Sequence, residues 1–248
     1  NEPASTVEYR DGSFWVSTQH AVYKVSTVLI TTGGLSFPGC GTTGDGYAWC
    51  QQFGHSIVPT VPALVPLKTP ENSWTRELQG VTLEDLELSV LDSSDVIQST
   101  TRGSTLFTHL GISGPAAMNI SKTISYAGHS NLKLQINFLP ELNLEQKNAQ
   151  LLELCQRNAK RQLATALKQL LPSRVINVLL GQAKINPSSR CAEISKATIR
   201  VLGETLHTLS TSVTGTLGFA KAEVTAGGVE LLEVHSQTME SKCQAGLF

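Results

Sequence analysis

The rhythm of apolar and polar positions changes along this 248-residue chain, and each change predicts a different kind of element. The opening reads as β structure. Asp11-Gly12 lies between Tyr9-Arg10 and Ser13-Phe14-Trp15-Val16, and a D-G pair supplies the positive φ angles of a tight hairpin. The run Ser26-Thr27-Val28-Leu29-Ile30-Thr31 is β-branched and does not alternate, which predicts a strand covered on both faces. Gly33-Gly34 and a loop holding Pro38 and Gly39 follow, and then Thr43-Gly44-Asp45-Gly46 opens a short helix that Gly54 closes.

From about residue 58 to residue 138 the runs are short and alternating, as in Leu86-Glu87-Leu88-Ser89-Val90 and Leu132-Lys133-Leu134-Gln135-Ile136, which predicts a small antiparallel sheet or barrel. A helix is predicted from Leu144 to Leu171. Asn143 and Gln146 stand as a capping box, Leu152, Cys155, Ala159, Leu163, Ala166 and Leu170 form one apolar stripe, and Pro172 ends it. Further helical patterns run from Arg174 to Leu180, with Gly181 as stop, and from Arg190 to Leu209, with Ile194, Ala197, Val201 and Leu202 facing inward. The last segment returns to strand and glycine around Val224-Thr225-Ala226-Gly227-Gly228-Val229. The simplest organisation is one interrupted domain, residues 1–60 with 212–248, split by a β-rich part over 61–138 and a helical part over 139–211. The expected fold class is α/β with inserted domains.

Lys+Arg 19 against Asp+Glu 20 leaves a formal charge of -1, and no contiguous basic run is present, which argues against nucleic acid and membrane partners. No apolar stretch approaches the roughly 20 residues of a membrane span, and no signal-peptide layout opens the chain, so the expected compartment is the cytoplasm. The five cysteines are odd in number and never form C-x-x-C, which predicts reduced, mostly buried thiols rather than disulfides or a zinc site. Both ends read as cut: the chain opens on Asn1, and Gly246-Leu247-Phe248 reads as the start of a strand. Oligomeric state leaves no signal.

Glycines at the carboxyl end of a strand, as in Thr32-Gly33-Gly34, let main-chain N–H groups approach a ligand, although Gly-Gly also makes plain turns. Thr42-Thr43-Gly44-Asp45-Gly46 adds a helix N-terminus suited to a polar or anionic ligand, with Thr43 alternatively a plain N-cap. Neither cluster is a phosphate loop or a G-x-G-x-x-G fingerprint. The segment Phe107-Thr108-His109-Leu110-Gly111-Ile112-Ser113-Gly114-Pro115 suggests a Ser-His hydrolase, but Pro115 occupies the place where a nucleophile elbow needs glycine. Ser113 reads instead as the cap of a helix begun by Pro115. His55 and His109 read as lone histidines with structural or solvent-facing roles, and no metal-ligand spacing appears, so no metal is expected.

These segments together resemble one family, the bacterial FAD-dependent flavoproteins called aminoacetone oxidase-like, YhiN-like or BaiN-like. The resemblance rests on Leu29 to Pro38, Thr43-Gly44-Asp45-Gly46-Tyr47, Gly54-His55, Pro62-Ala63-Leu64-Val65-Pro66-Leu67, Leu106 to Pro115, Val224 to Val229 and Thr238-Met239-Glu240-Ser241-Lys242, in shared order over nearly the whole chain. It implies part of a glutathione-reductase-type FAD-binding domain, interrupted by a barrel-like β-rich domain and a helical domain that cover the flavin face. Carried over by position, Thr32, Gly33 and Gly34 lie near the dinucleotide, Gly227, Gly228 and Val229 approach the flavin ring, and Thr43, Gly44, Asp45 and Gly46 are assigned to the same site. The implied chemistry is hydride exchange between FAD and a small organic substrate, with NAD(P)H or oxygen resetting the flavin and the Thr108-His109 loop contributing to the pocket.

The chain departs from the family in lacking the first strand and glycine-rich loop, the later flavin-contacting stretch, and the more usual alanine at Thr31. The resemblance therefore implies an internal fragment that binds FAD poorly alone, within a complete protein that binds it. A different class of reading, a non-catalytic binding or scaffold module with structural glycine loops, remains open at this point.

Overall fold

A computed structural model describes residues 2–128 and 131–248. The chain divides into two compact units, Asn1–Pro62 with Gly218–Phe248, and Ala63–Leu217.

In the first unit, β1 (Ala4–Arg10), β2 (Ser13–Thr18) and β3 (Val22–Val25) form an antiparallel meander. Asp11 and Gly12 take φ of 53° and 72° in the first turn, the positive-φ pair that a two-residue hairpin requires. Phe14 is fully buried, edge-on to Tyr9 and Phe53, and makes a small core with Val7 and Leu247. Residues 26–31 differ from the expected double-sided strand. Val28 bridges Leu247 in parallel, and the Phe248 N–H donates to the Val28 carbonyl at 2.8 Å, while Leu29 remains 67% exposed. One side of this segment packs on the Phe14 core and the other is open, so its apolar run is not matched by two covering layers.

The helix α1 (Asp45–Gln52) starts at Gly44, not Thr43. The Thr43 hydroxyl is turned to the Asp45 carboxylate at 2.8 Å, and Gly44, with φ of 81°, is the N-cap without a side-chain bond. The helix ends at Phe53, and Gly54 follows at φ 92°. A two-stranded sheet of β4 (Ile57–Ala63) and β12 (Val224–Val229) joins the two ends of the unit.

The second unit is built on β5 (Leu67–Lys68), β6 (Thr82–Leu91), β7 (Ile97–Phe107), β8 (Gly111–Ser113), β9 (Leu132–Asn137), β10 (Leu209–Val213) and β11 (Gly215–Thr216). Their order is β10-β9-β6-β7-β8-β5-β11, with antiparallel pairing throughout. β10 and β11 occupy opposite edges, yet only Thr214 separates them in the chain, so the sheet closes into a barrel. Alternate residues such as Leu86, Leu88, Leu134 and Ile136 are fully buried. The helix α2 (Pro115–Tyr126) packs on β7. Its N-cap is Gly114 at φ 90°, not Ser113, which stays in β8.

The predicted single helix over 144–171 is two helices, α3 (Leu144–Arg157) and α4 (Leu163–Leu167). Its start is as expected: the Asn143 side chain accepts the Gln146 N–H at 2.9 Å and the Gln146 side chain caps in return. The break at 158–162 comes from a distant partner, because Gln162 bridges Arg190 and the Arg161 carbonyl accepts the Cys191 N–H at 2.9 Å. α5 (Ser173–Gln182) runs through Gly181. The pattern from Arg190 resolves into a 3-10 turn, Cys191–Glu193, and α6 (Lys196–Thr208), capped by the Ser195 hydroxyl. Within α6, Ile199, Leu202 and Leu206 face inward, while Val201 is 43% exposed. One continuous core joins barrel residues such as Phe107 and Ile136 to helical residues such as Leu151, Leu179 and Leu202, and it is unbroken at residue 138.

A polar knot is buried in that core. Lys147 is fully buried, and its Nζ donates to Asn137 Oδ1 at 2.7 Å, to the Leu142 carbonyl at 3.0 Å and to His207 Nδ1 at 2.8 Å. Three donors meet three acceptors, which is what a buried ammonium requires. Among the described residues, no helix is long and apolar enough to cross a membrane.

Candidate functional site

The first unit contains a crevice of about 320 Å³, a volume suited to a small-molecule or cofactor fragment. Ile30, Val229, Val234 and Leu247 give it apolar walls, and Thr32, Tyr47, His55 and Ser241 give it polar edges. Both glycine segments reach it, since Gly33 lines it from the loop after residue 31 and Val229 from the end of β12.

The two segments are tied together by Thr225. Its hydroxyl oxygen accepts the N–H groups of Leu35 at 2.9 Å and Ser36 at 3.0 Å, and it bonds the Ser36 hydroxyl at 2.9 Å. A Cβ on Gly34 would stand 2.6 Å from Thr225 Oγ1 and 3.0 Å from the Tyr47 hydroxyl. Gly228, at φ 116°, faces the Tyr47 ring, and a Cβ there would lie 3.2 Å from it. Gly227, at φ 84°, would drive a Cβ into the Pro59 carbonyl oxygen of β4. Glycine at 227 is therefore demanded by packing against β4, and glycine at 228 by its backbone conformation.

Of the residues singled out in the sequence, Thr32, Gly33 and Val229 line the crevice, and Gly34, Gly46 and Gly228 pack behind it. Gly46 lies under Ile30 and Thr32. Thr43 and Asp45 are exposed and bonded to each other, Gly44 packs on Leu35, and Gly227 belongs to the β4 contact.

Sequence reasoning missed the constellation around His55. Read as a lone histidine, it is in fact buried, with Nδ1 3.2 Å from Glu233 Oε2 and Nε2 2.7 Å from Ser241 Oγ. Ser241 Oγ accepts the N–H groups of Cys243 at 3.0 Å and Gln244 at 2.9 Å, so its own proton points to Nε2. That leaves the His55 Nδ1–H to donate to Glu233. The Ser56 N–H donates to the same carboxylate oxygen at 2.7 Å, and this bond, followed by that of His55, holds the Glu233 carboxyl below its ordinary range.

The order of partners is that of a hydrolytic triad, but both acceptor positions of the serine are occupied by main chain, which leaves it a structural hydroxyl. Cys243, His55 and Glu233 offer ligand atoms within 4.8 Å of one another. Both His55 nitrogens are already bonded, so the group is a hydrogen-bonded relay. Only the pairs Gly54-His55 and Ser241-Lys242 hinted at it, and their partnership spans 186 residues. Burial pushes the Tyr47 phenol up, helped by nearby Cys50, so it stays protonated. All five cysteines are free thiols: Cys50, Cys155 and Cys191 are buried, and Cys40 and Cys243 are exposed.

Comparison with known proteins places these features in a family. Residues 61–224 match the family described as "HI0933-like protein barrel and H2TH domain", which covers the closed barrel and its helices. The chain is 32% identical over 236 residues to a protein of Haemophilus influenzae named ribosomal RNA dihydrouridine synthase, covering 95% of this chain and 55% of that one. It is 35% identical over 228 residues to the Escherichia coli protein of the same name, covering 89% and 52%. A 3-dehydro-bile acid delta(4,6)-reductase of Clostridium scindens is 30% identical over 236 residues, covering 91% and 55%. The chain thus spans about half the length of the curated relatives it matches. With its barrel and helices matched over most of their length, the chain belongs to the HI0933-like family.

Proposed function

We propose that this chain is part of a flavin-dependent reductase that adds two hydrogens across a carbon–carbon double bond conjugated to a carbonyl group. The observation that carries the reading is the convergence of the Gly33 loop and the Val229 end of β12 on one crevice. Its residues fit FAD. Apolar walls at Ile30, Val229 and Leu247 suit an aromatic ring, and the edge formed by Thr32 and Gly33 suits the polar part of a dinucleotide. Bound there, FAD would supply hydride transfer. The relatives named above support the direction of the chemistry, because dihydrouridine formation and Δ4,6-reduction each saturate a carbon–carbon bond.

The chain's own residues brace the crevice on two sides. Thr225 clamps one loop, the Ser241-His55-Glu233 relay clamps the other side, and Tyr47 Oη retains its proton next to the apolar wall. The first unit is read as part of a glutathione-reductase-type FAD domain and the second as its insertion. NADPH or NADH is the expected reductant. The aminoacetone oxidase-like, YhiN-like and BaiN-like names describe the same kind of flavoprotein.

The test compares this chain with the longest open reading frame that contains it. Flavin absorbance is expected in the longer product and weak or absent in the shorter. Anaerobic mixing with each nicotinamide should bleach it, and a conjugated enone or uridine-containing RNA should restore the oxidised spectrum. A colourless long product that ignores nicotinamides would leave the non-catalytic module as the better reading.

A further inference from the structure

Residues 157–200 hold nine of the protein's 19 lysines and arginines and one of its 20 acids, Glu193. Whole-chain neutrality hides this segregation, so net charge alone argued against a nucleic acid partner. All nine cations are exposed. A few are used internally: Arg157 pairs with Glu153, Arg200 with Glu204, and the Arg174 guanidinium donates to the carbonyls of Glu77 and Gln79. Lys160, Arg161, Lys168, Lys184 and Lys196 have no ion-pair partner among the described residues. So many unpaired like charges on one helical segment repel each other unless an anion is present.

The fold concentrates them. The Gln162–Arg190 bridge, with Ala192 N–H to Ala159 carbonyl at 3.1 Å and Leu163 N–H to Ser189 carbonyl at 2.9 Å, lays two chain segments side by side. Lys160 and Arg161 are thereby held beside Arg190. An open groove of about 400 Å³ lies against the same segment, lined by Lys184, Asn186, Ser189 and Thr198, with Glu193 the acid on its wall. Lys184 beside these amide and hydroxyl side chains offers groups that contact phosphate and sugar, while Ile185, Ile194 and Val201 complete the lining. Val201, 43% exposed on the groove wall, is the one large apolar side chain strongly exposed between residues 157 and 201, fewer than an interfacial helix inserts into a bilayer.

We propose that the basic face of residues 157–200 docks the phosphate backbone of RNA. The surface stands on charge and geometry alone. The choice of RNA among polyanions draws on the name shared by the Haemophilus and Escherichia relatives. Contact through phosphates is insensitive to base sequence and strongly sensitive to salt.

The experiment measures anisotropy of a fluorescein-labelled, uridine-containing RNA hairpin with the full chain across a salt series. A triple variant, Lys160→Gln with Arg161→Gln and Lys184→Gln, is compared with a control, Lys24→Gln with Lys122→Gln and Lys221→Gln. The triple variant should bind at least roughly tenfold more weakly, with a log–log salt slope shallower by about 2, while the control matches the parent. Equal affinity and slope in parent and triple variant would overturn the proposal. So would binding to phosphatidylserine vesicles through these residues without RNA binding. In the longer reading frame the triple variant should keep its flavin content, which separates a failure here from a failure of the flavin reading.

Discussion

The Thr225 hydroxyl accepts the Leu35 N–H at 2.9 Å across 190 residues of sequence, and the same oxygen holds Ser36. A valine at this position keeps the shape and strips two amides and a hydroxyl of their partner. Thr225→Val should cost about 1–3 kcal/mol of stability, and Thr225→Ser much less. Hydrogen exchange at Leu35 and Ser36 is the direct check, since protection should fall in the valine variant and persist in the serine variant. Unchanged exchange in Thr225→Val would show that the loop is held by something else.

The glycines divide by what surrounds them. Gly12 has a positive φ and open space, so Gly12→Ala carries only left-handed strain of about 1 kcal/mol. Gly227 combines a positive φ with the Pro59 carbonyl, so Gly227→Ala must also push β4 away and should cost ~3 kcal/mol or more. Thermal melts of the two variants test the ranking. Equal losses would mean that the β4–β12 contact yields easily.

Local chemistry was legible, and non-local closure was not. The Asp11-Gly12 hairpin and the Asn143–Gln146 capping box are written in neighbouring residues, and both form. The break after α3 depends on Arg190, which sequence periodicity cannot see, so two helices read as one. Alternation revealed the strands of the barrel, whereas its closure depends on a single residue, Thr214, between strands on opposite edges. The same limit hid His55, whose partners Glu233 and Ser241 lie 178 and 186 positions away. Ser26 to Thr31 was legible as extended chain, but which of its faces is covered is decided by the segment that pairs with it.

Glu233 gives the relay a pH signature. Its carboxyl is held low by the Ser56 N–H and by His55, so the folded state favours the ionised form. The resulting stability is complete above the ordinary glutamate value of about 4.3 and is lost as pH falls through the depressed folded value. Glu233→Gln should flatten the acid limb of a melting-temperature profile, while His55→Ala should lower stability across the whole range by leaving Ser241 and Glu233 without their shared partner. An acid limb identical in Glu233→Gln and parent would show that other carboxylates set it.

The Lys147–His207 bond should set a second, higher transition. Burial, followed by the charge of Lys147, pushes the His207 imidazole below its ordinary range, with Glu87 opposing. Burial also lowers Lys147, against the pull of Glu141 and Glu87. Because His207 Nδ1 accepts from the ammonium, the folded state needs the imidazole neutral, and the unfolded chain takes up the proton more readily. Stability from this site is therefore complete above about pH 6.5 and falls as pH drops through the depressed value. His207→Gln keeps an acceptor for Lys147 but cannot titrate, so its melting temperature should change less between neutral pH and about pH 5 than the parent's. Lys147→Met strips the Leu142 carbonyl and His207 Nδ1 of their donor, leaves Asn137 Oδ1 only the Leu139 N–H at 3.3 Å, and should cost at least about 2 kcal/mol. A His207→Gln protein with the parent's slope, beside a destabilised Lys147→Met, would mean that the knot holds the barrel to the helices without sensing pH.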